Sequence, residues 1–144
     1  MIKILKFEEF TPELLYKVLK LRFNVFVLEQ NSLYEEFDDI DFDAIHILIE
    51  EKSEVVAYMR IFLKERGIVS FGRVVVHKDF RKKSLGKKIV EEGMKYMKEN
   101  MDATRVEIEA QEYLRDFYES FGFRQVSEPF DDCGVMHIRM VSNF

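Results

Sequence analysis

Val74-Val75-Val76-His77-Lys78-Asp79-Phe80-Arg81-Lys82-Lys83-Ser84-Leu85-Gly86-Lys87-Lys88 is the stretch on which the fold turns. It opens on β-branched apolar residues, the pattern of a buried strand. A polar, basic loop follows. From about Ser84 the apolar residues Leu85, Ile89, Val90, Met94, Met97 and Met101 fall at helical spacing and predict a helix of about four turns. A strand that passes through a basic loop into a helix presents unpaired N–H groups and the positive end of a helix dipole. Such an end takes phosphate readily. Gly86 allows close backbone approach in the first turn, and the lysines add attraction for a polyanion. The same residues also fit a solvated basic loop capped by Ser84.

Upstream, Ile2–Lys6 reads as a short strand. Thr11 reads as an N-cap with Pro12 at the first helical position and Glu13 in the first turn. Leu14, Leu15, Val18, Leu19, Leu21, Val25 and Phe26 then predict a helix over 11–28. Glu35, Glu36, Asp38, Asp39, Asp41 and Asp43 form an acidic segment without periodicity, expected as loop with a short helical turn. Ile45–Glu50, Val55–Leu63 and Ile68–His77 read as an antiparallel meander, with turns at Lys52-Ser53-Glu54 and Glu65-Arg66-Gly67. Downstream, Val106, Ile108 and Ala110 alternate with Glu107, Glu109 and Gln111, the mark of a half-buried strand over 105–110. A helix separates it from strand 68–77, so the two should run parallel. Tyr113, Leu114, Phe117, Tyr118 and Phe121 share a helical face that ends at Gly122. Phe123–Val126 and Val135–Val141 make a final strand pair. The order β-α-β-β-β-α-β-α-β-β describes a mixed α/β domain around a mostly antiparallel sheet.

The chain has 144 residues, 47% apolar and 34% charged. That is the size and balance of a single soluble domain spanning 1–144. Cys133 is the one cysteine, which excludes an internal disulfide and argues against a Cys/His zinc cluster. No metal is expected. A net charge of −5 argues against general nucleic-acid binding. No apolar run approaches the ~20 residues of a membrane span. Met1–Phe10 is mixed and charged, unlike a signal peptide, so a cytoplasmic protein is expected. Asp39, Asp41, Asp43 and Glu50 have calcium-loop spacing, but Ala44 stands at the required glycine and Ile45–Glu50 reads as strand, which excludes that site.

Arg81-Lys82-Lys83-Ser84-Leu85-Gly86 after the valine strand resembles motif A of the GNAT acetyltransferases, R/Q-x-x-G-x-G/A. Ser84 replaces the first glycine; a serine favours ordinary backbone angles and predicts a slightly altered loop. Phe117-Tyr118-Glu119-Ser120-Phe121-Gly122-Phe123 resembles motif B, a helix ending in Y-x-x-x-G-F, at a fitting distance downstream. Leu21-Arg22-Phe23-Asn24-Val25-Phe26-Val27-Leu28-Glu29-Gln30, the spacing of Tyr34, Asp38, Asp41 and His46, and Ala110-Gln111 resemble the ElaA-like branch of that superfamily.

The resemblance implies the acyl-CoA N-acyltransferase fold, with six to seven strands, flanking helices and a parallel pair (strands 68–77 and 105–110) that splays apart. It implies acetyl-CoA as co-substrate and direct acetyl transfer to an amine-bearing acceptor. The pantetheine arm would lie along Val74, Val75 and Val76, with the N–H of Val75 or Val76 polarising the thioester carbonyl. Arg81, Lys82, Lys83, Ser84, Leu85, Gly86 and Lys87 would hold the diphosphate, and Lys82, Lys83, Lys87 or Lys88 the 3′-phosphate. Salt should therefore weaken CoA binding. Gln111 and Tyr118 would complete the cofactor side. Tyr118 is the candidate acid for the departing thiolate, and a route through Cys133 is not needed. Glu109 and His46 are the candidate bases, with Glu107 beside them. The acidic segment either attracts a cationic amine or is a solvated loop, and Arg22 either holds that loop or binds a substrate carboxylate. No nucleic acid or membrane partner is expected, and the family allows a homodimer. Two other readings stay open. One is an acyl-CoA-binding regulatory module without turnover. The other is an acyl-homoserine-lactone synthase, since Arg22, Val25, Phe26, Asp38, Asp41 and Ala44 also resemble that related fold.

Overall fold

The computed structural model describes residues 1–32 and 34–144. Its strands are β1 (Ile2–Lys6), β2 (Ile45–Glu51), β3 (Glu54–Glu65), β4 (Ile68–Val76), β5 (Arg105–Gln111), β6 (Arg124–Gln125), β7 (Phe130–Asp132) and β8 (Val135–Asn143). The helices are α1 (Pro12–Arg22), α2 (Leu85–Asn100) and α3 (Arg115–Glu119). The strands form one sheet in the order β1-β2-β3-β4-β5-β8-β6, with β7 against β8. β4 and β5 are parallel; β8 lies antiparallel to β5, β6 and β7. There are thus eight strands among the described residues where six to seven were expected. The extra one is β7, whose pairing with β8 closes through Cys133 and Gly134, both at positive φ. That is the backbone of a tight two-residue hairpin.

Alternation along the central strands sorts the core onto two faces. Ile47, Ile49, Met59 and Ile61 pack with Ile89, Val90 and Met97 of α2. Leu48 and Tyr58, between them in sequence, pack with Val18 and Leu21 of α1 and with Val25. Burying each such side chain contributes roughly 1.5–3 kcal/mol. Thr11 caps α1, its hydroxyl accepting from the Leu14 N–H at 3.2 Å. The helix predicted over 11–28 is α-helical only to Arg22; Phe23–Glu29 is a π-helical turn. The Gln30 N–H donates to the Val25 carbonyl at 3.1 Å and the Ser32 N–H to that of Val27 at 3.2 Å. The wider turn ends with Glu29 bonded to Arg81, after β4, and Gln30 bonded to Gln111, at the end of β5, a tertiary constraint absent from local periodicity.

That gap comes from β4. It pairs with β5 only at Ile68–Arg105 and Val69–Val106. Against β3 its register steps from Tyr58–Val75 to Arg60–Gly72, three residues facing two. This is a β-bulge, with Arg73 in the left-handed region at φ 51°. A bulge bends its strand, while β5 stays paired to β8 as far as Gln111–His137. The parallel pair therefore splays.

Candidate functional site

Two cavities of about 590 and 710 Å³ run together through Val76, Arg81, Gly86 and Phe117, which line both. The first is a notch at the start of α2. The second is the β4/β5 gap and a chamber on the α1 side of the sheet.

In the notch, Ser84 precedes α2 at φ 58°, and its side chain makes no capping bond. Its backbone is left-handed, not at the ordinary angles expected of serine. This conformation carries a backbone cost of roughly 1–2 kcal/mol. The first helical bond runs from the Lys88 N–H to the Ser84 carbonyl at 3.1 Å. The N–H groups of Leu85, Gly86 and Lys87 thus have no partner within the helix. A Cβ on Gly86 would stand 3.8 Å from Val76 Cγ2 and 3.9 Å from Phe117 Cζ, ordinary contact distances. Packing therefore does not require glycine there.

The basic cluster is less open than its sequence suggests. Arg81 forms a two-pronged pair with Glu29, at 2.6 and 2.9 Å, and its Nε donates to the Val76 carbonyl at 3.1 Å. The hydrogen bond from Arg81 holds the Glu29 carboxyl below its usual range. Lys82, Lys83 and Lys88 do not line either cavity, and Lys83 Nζ lies 4.9 Å from the centre of the Phe80 ring. Lys87 alone of the lysines lines the notch.

Along the gap, the His77 N–H donates to the Val56 carbonyl at 2.8 Å. This bond sets the phase of the ladder: Ala57–Val76 is a non-hydrogen-bonded pair and Tyr58–Val75 a hydrogen-bonded one. The main chain of Val75 is engaged by β3, and the N–H of Val76 points into the gap. Of the two expected carbonyl-polarising groups, the geometry retains Val76. Val74, Val75, Val76, Gln111 and Tyr118 all line the cleft. Tyr118 is 5% exposed, its ring among Phe71, Phe117 and Phe123. Burial, followed by Tyr113, pushes its hydroxyl well above the usual tyrosine range, so it stays a proton donor.

The chamber is walled by Glu107, Glu109 and Gln111 of β5, Arg73 of the bulge and His137 of β8. Glu107 lies 3.5 Å from Arg105. The Gln111 amide donates to Gln30 at 3.3 Å. His46 is elsewhere. It is 1% exposed, with Nδ1 at 2.6 Å from the Tyr58 hydroxyl and Nε2 at 2.9 Å from the Asp41 carbonyl. Burial holds it below its ordinary value. Both nitrogens are engaged and it does not line the cleft, so the structure corrects its assignment as a base. Cys133 lines the chamber, but desolvation and the neighbouring Asp132 push its thiol up, away from the thiolate that a covalent route needs.

Within the acidic segment Glu36, Asp38 and Asp41 are tied up by arginines, while Glu35, Asp39 and Asp43 are exposed. Arg22, 1% exposed, bonds Glu36 at 2.7 Å and Asp41 at 2.9 Å. Arg60 bonds Asp38 at 2.6 Å and Asp41 at 3.0 Å. Arg73 bonds Glu36 at 2.9 Å and Asp38 at 3.4 Å, and lies 5.1 Å from the centre of the Tyr34 ring. Burial works against the carboxyls of Asp38 and Asp41, yet the bonds from Arg60 and Arg22 outweigh it and hold both below their usual range. Arg22 thus has the structural role, and Glu36 and Asp38 pin the bulge that opens the gap. Sequence reasoning missed Arg60, Arg73 and His137. For the arginines a signal existed, since a charge inside an apolar strand demands a partner.

Residues 8–144 match the family model of the acetyltransferase (GNAT) domain. Protein ElaA of Escherichia coli is 35% identical over 136 residues, covering 92% of this chain and 89% of that protein. The crystal structure of Escherichia coli ElaA superposes with a TM-score of 0.91 over 99% of both chains, at 34% identity. That of an acyl-CoA N-acyltransferase from Pseudomonas aeruginosa gives 0.93 over 99% of this chain and 98% of the other, at 29% identity. BjaI, a CoA-dependent acyl-homoserine lactone synthase solved with SAM and isopentyl-CoA, shares the fold alone, with a TM-score of 0.79 at 15% identity over 99% of this chain and 82% of that one. The family match runs unbroken across the α2 notch and the α3 segment, and the chain belongs to the GNAT acetyltransferases, on the branch of ElaA.

Proposed function

We propose that the protein moves an acetyl group from acetyl-CoA directly to the nitrogen of an amine acceptor. The observation that carries this reading is the gap between β4 and β5, which joins the α2 notch to the polar chamber. The N–H groups of Leu85, Gly86 and Lys87 receive the diphosphate. Val76 aims its N–H at the thioester oxygen, where a fixed donor contributes about 2.7–4 kcal/mol to lowering the barrier. Tyr118 gives its proton to the departing sulfur. Glu109, exposed on the chamber wall and without an ion-pair partner among the described residues, holds the positive charge of the incoming amine.

Thermal melting with acetyl-CoA or CoA at about 100 times its dissociation constant should show stabilisation of about 2.7 kcal/mol. The absence of a shift with either ligand would remove the gap as a CoA site. Tyr118→Phe keeps the ring and loses the proton; kcat should fall by about 10²-fold or more with acetyl-CoA affinity intact. Unchanged turnover would take the acid role from Tyr118.

A further inference from the structure

His137 belongs to β8, where its neighbours across the sheet are Gln111 on β5 and Phe130 on β7. Cross-strand partners share a face, so His137 stands on the face that carries Glu109 and Gln111, and it lines the chamber. Its Nδ1 is 2.8 Å from the Val135 carbonyl. A carbonyl can only accept, so Nδ1 carries the proton, and in the neutral ring Nε2 keeps its lone pair. The Phe130 ring stacks on the imidazole, with centroids 6.1 Å apart and planes at 29°. Tautomer and ring plane are therefore both fixed, and Nε2 has no partner among the described residues. The chain's other two histidines lack this arrangement. His46 is bonded at both nitrogens. His77 accepts from the Asp79 N–H at 3.1 Å and does not line the chamber.

We infer that His137 is the general base of the transfer, an assignment that rests on the acetyl-transfer reading above. Nε2 takes one proton from the acceptor ammonium, and the freed lone pair forms the C–N bond. The C–S bond breaks with its electron pair on sulfur. The second nitrogen proton is relayed through Tyr118 to that sulfur, and His137 returns its own proton to solvent. The products are the amide, CoA thiol and one released proton. Glu109 is two register positions away on the same face, opposite Arg139. It holds the ammonium, as an exposed carboxylate on the chamber wall with no ion-pair partner among the described residues. The other titratable groups that line the cavity from the strands paired to β8 and their turns are Glu107 of β5, Tyr113 after β5, Asp132 of β7 and Cys133 of the hairpin turn.

The test uses His137→Asn, whose side-chain amide can still donate toward Val135 but cannot take a proton. Acetyl-CoA affinity is measured by calorimetry. Turnover is measured with putrescine, lysine, phenylethylamine and a glycyl dipeptide, and with water through acetyl-CoA hydrolysis. The expected result is a loss of kcat of about 10²-fold or more with the fastest acceptor, an unchanged dissociation constant, and loss of the acidic limb of kcat/KM against pH. Glu109→Gln should instead raise KM and keep that limb. Turnover within about threefold of the parent, or an acidic limb that survives the substitution, would overturn the assignment while leaving acetyl transfer standing. Acetyl-CoA binding with no transfer to any amine or to water would overturn the transfer itself, and the base with it. Independently of any variant, the His137 ring followed by NMR should titrate at the midpoint of the acidic limb; a midpoint elsewhere would also overturn it.

Discussion

Ser84 and Gly86 sit two residues apart in the notch and make opposite demands. Ser84 holds a left-handed backbone without a capping bond, so Ser84→Gly should relieve strain. The gain should be about 0.5–1 kcal/mol, what remains of the ~1–2 kcal/mol backbone cost after glycine's larger unfolded-state entropy. Denaturant melts measure it, and a loss of stability would show that serine makes a compensating contact. Gly86 has ordinary backbone angles and room for a Cβ. Gly86→Ala should therefore leave the melt unchanged or raised, since alanine favours helix, yet weaken CoA binding by about tenfold or more, because a methyl stands where the phosphates meet the main chain. Unaltered affinity in calorimetry would move the diphosphate off this turn. Arg81 sharpens the contrast. Its motif position suggests a phosphate ligand, but its guanidinium is already held by Glu29, so in the proposed site the main-chain N–H groups and Lys87 would do most of the binding.

At the scale of elements, the acidic segment works as a clamp on β4. Glu36, 4% exposed, accepts from Arg22, Arg73 and Tyr34 together. Glu36→Ala leaves buried Arg22 with Asp41 as its one carboxylate partner and should cost about 3–5 kcal/mol in chemical denaturation. A cost below about 1 kcal/mol would mean that water reaches these arginines. The surviving fold should also bind CoA less well, since the bulge at Arg73 loses its anchor. Elements that depend on their own residues were readable without coordinates: β1, the three-strand meander, α2 with its buried Leu85, Ile89, Val90 and Met97, and the alternating β5. Elements that depend on distant partners were not. The π turn is set by Arg81 and Gln111, β7 by the register of β8, and the bulge by two carboxylates, Glu36 and Asp38, far away in sequence. The site divides in the same way. Tyr118 and the α2 notch follow from local motifs, whereas His137 gains its meaning from Val135, Phe130 and a β5 strand reached only through the fold.

For the whole molecule, burial of His46 makes stability depend on pH. Its folded value lies below the ordinary 6.5, so below that pH the unfolded chain binds a proton that the folded one resists. Stability therefore falls as pH drops through 6.5, with a slope approaching about 1.4 kcal/mol per pH unit per proton. Asp38 and Asp41, lowered from 3.8, contribute stability above that value and lose it as pH falls further. Urea midpoints against pH should show two stages, and His46→Gln should remove the upper one; parallel profiles for the two proteins would refute this. The short β4–β5 seam reaches further than the reaction. It leaves two strand margins inside the molecule instead of at its rim, and unpaired margins are what stray chains adhere to. The empty protein should accordingly be the stickier form, and a co-substrate bound as proposed, by filling the split, would double as protection against self-association.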